Sequence, residues 1–261
     1  MAWMALPTVV AEQGPGQGGE PLPHALSSAN MEVDGGKSSN SKQVKDTKGQ
    51  TNEMYKKTYT GEIVFSSLCI ILIAGGWVPK EDIIFSILTT LYIFIMQKKV
   101  FTAVTPYIIP GMFPGKVFAI YLSTMSVLGL LFPLVYLIGA YILGDMTGFE
   151  AAVPSIFLLL VQCLSENYTY TRVSFSLLIR VLVPVMYNAR RIFTLWTWAL
   201  YIFGDGVDPE FSTGYWLLCG QILAAVNVII WNYNLWCFLI PIFLPGSMRA
   251  YYKIEQEQQR S

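Results

Sequence analysis

Histidine is nearly missing from this chain, and with it goes much of the chemistry that 261 residues would ordinarily offer. The single His24 sits in a polar N-terminal stretch, so the apolar remainder has no histidine to act as general base or metal ligand. Charge is scarce too. Asp, Glu, Lys and Arg make up 13% of the chain, below the roughly 25% of an ordinary soluble domain. The 17 basic and 17 acidic residues cancel, and a neutral chain without a basic stripe argues against nucleic acid as a partner. Cys69, Cys163, Cys219 and Cys237 lie in or beside apolar runs and form no CxxC pair, the placement of small buried hydrophobes rather than of a metal site or disulfide framework. GxSxG, HExxH and phosphate-cradling motifs are absent as well. No cofactor or metal is expected, and an enzyme would have to run on carboxylates, tyrosine or cysteine, so we expect none.

What the chain has is apolar length. Hydrophobic residues make up 54% of it and fall into long runs, which is the composition of a membrane protein. The fold class expected is all-α, a polytopic helical membrane bundle. Its spans are expected at about 63–78, 83–97, 117–143, 151–168, 177–203 and 215–244. Residues 1–57, with Gly14–Gly19 and a Gly-Lys-Ser-Ser-Asn run, read as a disordered tail. Pro7 interrupts the only apolar stretch there, and no basic n-region precedes it, so a secretory address is not expected. Residues 58–247 form the transmembrane domain, and 248–261 a cytoplasmic tail containing a short surface helix.

Local signals divide the runs. Pro79-Lys80-Glu81-Asp82 separates the first two into a hairpin, with proline ending one helix and acids suiting the start of the next. Both runs fall short of the roughly 20 residues of a perpendicular span. Pro106, Pro110, Gly111, Pro114 and Gly115 make Thr105–Gly115 a loop. The run 117–143 would extend about 40 Å as a helix, more than the hydrocarbon core is thick, and Pro133 is where it bends. Acidic connectors follow at 144–150 and 204–210, and Pro241 and Pro245 are expected to end the last span. Basic residues precede the first span, occupy the second loop at Lys98, Lys99 and Lys116, and follow the last span at Arg249 and Lys253. Six spans with both termini cytoplasmic satisfy the positive-inside rule.

The chain is organised around Leu177–Trp198, apolar on both sides of a knot made of Pro184, Tyr187, Asn188, Arg190 and Arg191, with Arg180 ahead of it. An arginine at the bilayer centre costs about 2.5–3.5 kcal/mol on insertion scales, so each must reach headgroups or water or be paired inside the bundle. Residues 172–191 therefore read either as interfacial or as part of a long fifth helix, with the polar groups gathered near the interface. Glu166 is the acid to watch. It lies four residues from Gln162 on one helix face, and Arg172, Arg180 or Arg190 would make a buried ion pair with it. Arg180, Arg190, Arg191, Asn188, Tyr187, Glu166 and Arg172 form the candidate lipid, partner or ion-pair site. Gln162, Gln221, Asn227, Asn232 and Asn234 are candidate helix-packing groups, because an amide in lipid must find another helix, the backbone or a wet cavity. Trp231, Tyr233 and Trp236 read as an interfacial belt or as packing surfaces.

Two phrases, Ile179-Arg180-Val181-Leu182-Val183-Pro184-Val185-Met186-Tyr187-Asn188-Ala189-Arg190-Arg191-Ile192-Phe193-Thr194 and Ala224-Ala225-Val226-Asn227 through Leu244-Pro245 to Arg249-Ala250-Tyr251-Tyr252, carry a resemblance. Over residues 59–253 the chain resembles a plant family of multi-pass membrane proteins defined only as a domain of unknown function. The resemblance implies a plant origin and a membrane location and supplies no catalytic residues. The function expected is a non-catalytic structural, assembly or interaction role, with membrane lipids and a membrane protein as partners. The alternative is a small-molecule or ion transporter using Glu166 and the polar last helix.

Overall fold

A computed structural model describes residues 60–101, 116–171, 175–204, 206–211 and 214–260. The expected disordered tail, the loop at Thr105–Gly115 and Arg172 lie outside the described residues. The chain forms α1 (Thr60–Ala74), α2 (Lys80–Lys99), α3 (Lys116–Ser126), α4 (Phe132–Leu143), α5 (Met146–Thr171), α6 (Leu177–Phe203), α7 (Tyr215–Tyr233) and α8 (Leu244–Arg260). π-helical segments, Val127–Leu131 and Asn234–Phe243, join α3 to α4 and α7 to α8 without a break. Among the described residues there is no strand. Three stretches are long and apolar enough to cross a membrane: Ser123–Leu143, Met146–Tyr170 and Tyr215–Glu257.

Helix α6 is the axis of the bundle, packed along α5, along α7 and the π segment that follows it, and against α2 and α8. It starts where Ser176 Oγ accepts the Ile179 N–H at 3.4 Å, the N-cap geometry that satisfies an otherwise orphaned donor. Residues 177–191 thus belong to one continuous 27-residue helix. Arg180 and Arg191 do not end it because their side chains are buried between neighbouring helices. The last span also differs from expectation. The backbone stays helical through Pro241 and Pro245, and the tail helix is the direct continuation of the span. Five-residue bonds such as Leu244 N–H to Leu239 O let the wider turns absorb the missing proline donors.

Contacts between connectors define two ends. At one, Asp145 caps α5, its Oδ1 accepting the Gly148 N–H at 2.9 Å and its Oδ2 the Trp216 Nε1–H at 2.9 Å. Tyr201 OH donates to Thr147 Oγ1 at 2.7 Å, and Thr147 donates to Asp208 Oδ2 at 2.8 Å. Both acidic connectors therefore meet. Trp77, edge-on to Phe149 and Tyr141, brings the α1–α2 turn to the same end. At the other end, Ser176 N–H donates to Gln97 Oε1 at 2.7 Å and Phe101 meets Tyr251 edge-on, so Lys98 and Lys99 share a side with α8. Asp145→Ala removes a cap and leaves a half-buried indole N–H without its acceptor, and is expected to cost about 1–3 kcal/mol. Denaturant unfolding in detergent micelles measures it, and a cost under a few tenths of a kcal/mol would contradict the cap.

Two helices around the apolar core carry apolar outer faces and bury polar or charged side chains. On α2 the buried face is Asp82, Ser86, Thr89 and Ile93, while Ile84, Ile87, Leu88, Leu91 and Ile95 are more than half exposed. On α6, Arg180 and Arg191 are 0% and 1% exposed, and Phe193 and Trp196 are 67% and 58% exposed. In water the ordinary arrangement is the reverse.

Candidate functional site

The densest buried polar cluster begins with a defect in a neighbouring helix. In the first π segment, Phe132 N–H bonds to Val127 O, five residues back. The next bond in that register would come from residue 133, which is proline and has no N–H. The orphaned Leu128 O accepts instead from Asn227 Nδ2 of α7 at 3.1 Å. Asn227 also donates to Leu223 O at 2.9 Å and accepts the Trp231 Nε1–H at 3.2 Å. The bend expected at Pro133 is thus a π turn bound to another helix by an amide side chain.

Trp231 fills the space this turn opens. A Cβ on Gly129 would come within 2.5 Å of its indole, so only glycine lets the ring lie on the turn. The Arg191 guanidinium lies over the ring, 3.6 Å from its centroid. Arg191 Nη2 donates to Asn188 Oδ1 at 3.0 Å, and Asn188 Nδ2 donates to Trp231 O at 3.3 Å. The Arg191 Nε and Nη1 atoms have no hydrogen-bond partner among the described residues. Gly129→Ala forces the ring aside and is expected to destabilise by about 1–3 kcal/mol, the range for overpacking. Gly61→Ala, whose new Cβ meets nothing within 4 Å, is the matched control in the same unfolding assay.

The other candidate residues divide by position. Arg190 Nε donates to Asp82 Oδ1 of α2 at 2.8 Å. Its partner is Asp82, an acid that the sequence reading passed over as a helix-start signal, and not Glu166. Arg180 donates from Nε to Thr169 O at 3.3 Å and lies over the Tyr170 ring at 5.6 Å. Glu166 accepts from Gln162 Nε2 at 2.7 Å, both buried, as their four-residue spacing suggested. Tyr187 is fully buried, edge-on to Phe85 and accepting from Ser165 Oγ at 3.5 Å. The packing amides disperse: Gln221 donates to Ile202 O at 3.4 Å, Asn232 to Val228 O at 2.8 Å, and Asn234 accepts from Tyr121 OH at 2.5 Å. Most of the polar knot is therefore buried: Arg180, Tyr187, Asn188 and Arg191 are enclosed by the bundle, and Arg190 is partly exposed. What sequence reasoning missed is Asp82 and the stacking role of Trp231. The signal for Asn227 was present, since an internal proline announces a carbonyl in need of a foreign donor.

Chemically, this set braces and cross-links. Among the described residues no group of three or more His, Cys, Asp or Glu side chains is placed to hold a metal ion. Two cavities adjoin the cluster. One of about 530 Å³ lies between α1, α2 and α5, with Glu62, Ser66, Thr90 and Ser165 on its walls. A second, of about 310 Å³, lies beside the Asp82–Arg190 pair.

Neither the curated proteins nor the solved structures yield a match to this chain. One family does, over residues 57–252, which include every described element but the last residues of α8. The chain belongs to the family described as Domain of unknown function (DUF7733).

Proposed function

We propose that this chain is a non-catalytic integral membrane protein of six spans, with its basic connectors and both termini on the cytoplasmic side, whose role is to hold lipids or a membrane-protein partner. The observation that carries this is the inverted polarity of α2 and α6, with buried Asp82, Arg180 and Arg191 set against exposed isoleucine, leucine and phenylalanine. Lipid is the solvent that rewards such an arrangement. The three long apolar stretches supply half of the spans; α1, α2 and α6 complete them. The resemblance described above supports a plant source. Arg180 and Arg191 act here as internal braces, and Arg190, about a third exposed, is the arginine of the knot left to meet a ligand.

Alkaline carbonate treatment of membranes tests the placement. The protein is expected to stay in the pellet and to leave it only with detergent; release by carbonate alone would overturn the reading. Mass spectrometry of the chain in native-lipid nanodiscs tests the role through a retained lipid or stoichiometric partner. A second reading, passage of a small solute, is favoured by the hydroxyl-walled cavity between α1, α2 and α5. It predicts that Glu166→Gln changes flux in proteoliposomes without lowering the yield of folded protein.

A further inference from the structure

The cavity beside Arg190 carries a more specific assignment, which rests on the membrane reading above. It is a cleft of about 310 Å³ between the N-terminal turns of α2 and α5 and the second half of α6, walled by Asp82, Glu150, Pro154, Arg190, Phe193 and Thr197. Its one cation is incompletely used. Asp82 takes the Nε edge of the guanidinium at 2.8 Å, and the two Nη groups bond to no described residue. Those two amino groups form a donor fork suited to two oxygens of one anionic group.

Across the cleft the chemistry has the opposite sign. Glu150 is exposed, and its carboxylate bonds to no described residue. Its backbone carbonyl has lost its helical donor, because residue 154, four positions on, is proline. The cleft thus offers a donor fork on one wall and acceptors on the other. A ligand that satisfies both joins an anion to an ammonium. Phe193, 67% exposed, continues the wall into the apolar outer face of α6 with Trp196 and Leu200, where acyl chains would run. We infer that this cleft binds the headgroup of a zwitterionic phospholipid, its phosphate on the Arg190 fork and its primary ammonium on Glu150.

The test is native mass spectrometry of the detergent-purified full-length chain, titrated with phosphatidylethanolamine and with phosphatidylglycerol of the same acyl chains. Phosphatidylethanolamine should be held about tenfold more tightly, the factor given by roughly 1.4 kcal/mol of differential interaction. Glu150→Gln should bring the two lipids within about twofold of each other. Arg190→Gln should weaken both, and because that change also strips Asp82 of its partner, the Glu150 variant carries the test. Equal binding of both lipids by the unaltered chain, or a tenfold preference that survives Glu150→Gln, would overturn the assignment. Free phosphoethanolamine should not displace the lipid at matched concentration; if it does, the occupant is a soluble zwitterion and the lipid assignment falls. A chain released from membranes by carbonate alone would fail before this step, so the two failures are separable.

Discussion

Trp231→Ala is expected to cost about 3–5 kcal/mol of unfolding free energy, the range for deleting a buried tryptophan. The indole is 5% exposed and touches three elements at once. The indole packs on Gly129 in the π turn and lies 3.6 Å from the Arg191 guanidinium, while Nε1–H donates to Asn227 at 3.2 Å. Removing it leaves a cavity, strips Arg191 of its cation–π partner, and frees the Asn227 amide that satisfies Leu128 O. Trp231→Phe keeps a ring and loses the donor, so its cost should fall between. Trp236→Ala, at a residue 62% exposed, is expected within about 1 kcal/mol of the unaltered protein. Arg191→Met separates packing from charge. Among the described residues two of the guanidinium nitrogens lack hydrogen-bond partners, and replacing a poorly compensated buried charge by an apolar chain of similar volume is often neutral or stabilising. Denaturation in mixed micelles followed by tryptophan-independent far-UV circular dichroism measures all four. A Trp231→Ala cost below about 1 kcal/mol would mean that this cluster does not hold the bundle.

The second large effect is an asymmetry across the Asp82–Arg190 pair. Asp82 is 1% exposed and Arg190 is 32% exposed. Arg190→Leu therefore strands a carboxylate that is almost fully buried, and is expected to cost about 3–5 kcal/mol, the range for breaking a buried pair. Asp82→Leu leaves an arginine that can extend to the surface, so its cost should be nearer 1–2 kcal/mol. The double substitution leaves no buried charge and should recover about half of the summed loss, giving a coupling energy of about 2–3 kcal/mol in a double-mutant cycle. Additive costs would show that the two side chains act independently.

The difference between Asp82 and Glu166 also marks how far sequence alone reaches. Gln162 and Glu166 are four residues apart, and helix geometry settles their meeting once the helix is assigned. Asp82 and Arg190 are 108 positions apart, and no local signal ties one to the other, so the pair becomes visible only when α2 is packed on α6. The same contrast runs through the fold. Pro79 with Glu81 and Asp82 marks the hairpin because proline and first-turn acids act locally. The start of α5 at Met146 was read as connector because Asp145 and Gly148 look like loop chemistry, although they are its cap and the donor it accepts from. Pro241 and Pro245 read as stops because their lost donors are local, whereas the π turns that accommodate them depend on packing against α6. Charges read as interfacial for an energetic reason that holds for an isolated helix. In the bundle, α5 and α7 replace water around Arg180 and Arg191.

The apolar outer face of this bundle is expected to meet lipid while the buried polar groups of α2 and α6 face inward. The most direct measurement is labelling of single cysteines by a membrane-impermeant maleimide in sealed, oriented vesicles, in a background with the exposed Cys219 and Cys237 replaced by serine. Lys99→Cys is expected to label from one side, Glu210→Cys from the other, and Leu88→Cys from neither, although Leu88 is 59% exposed on the protein surface. Labelling of Leu88→Cys as fast as that of Lys99→Cys would place water on the isoleucine and leucine face of α2 and contradict the account.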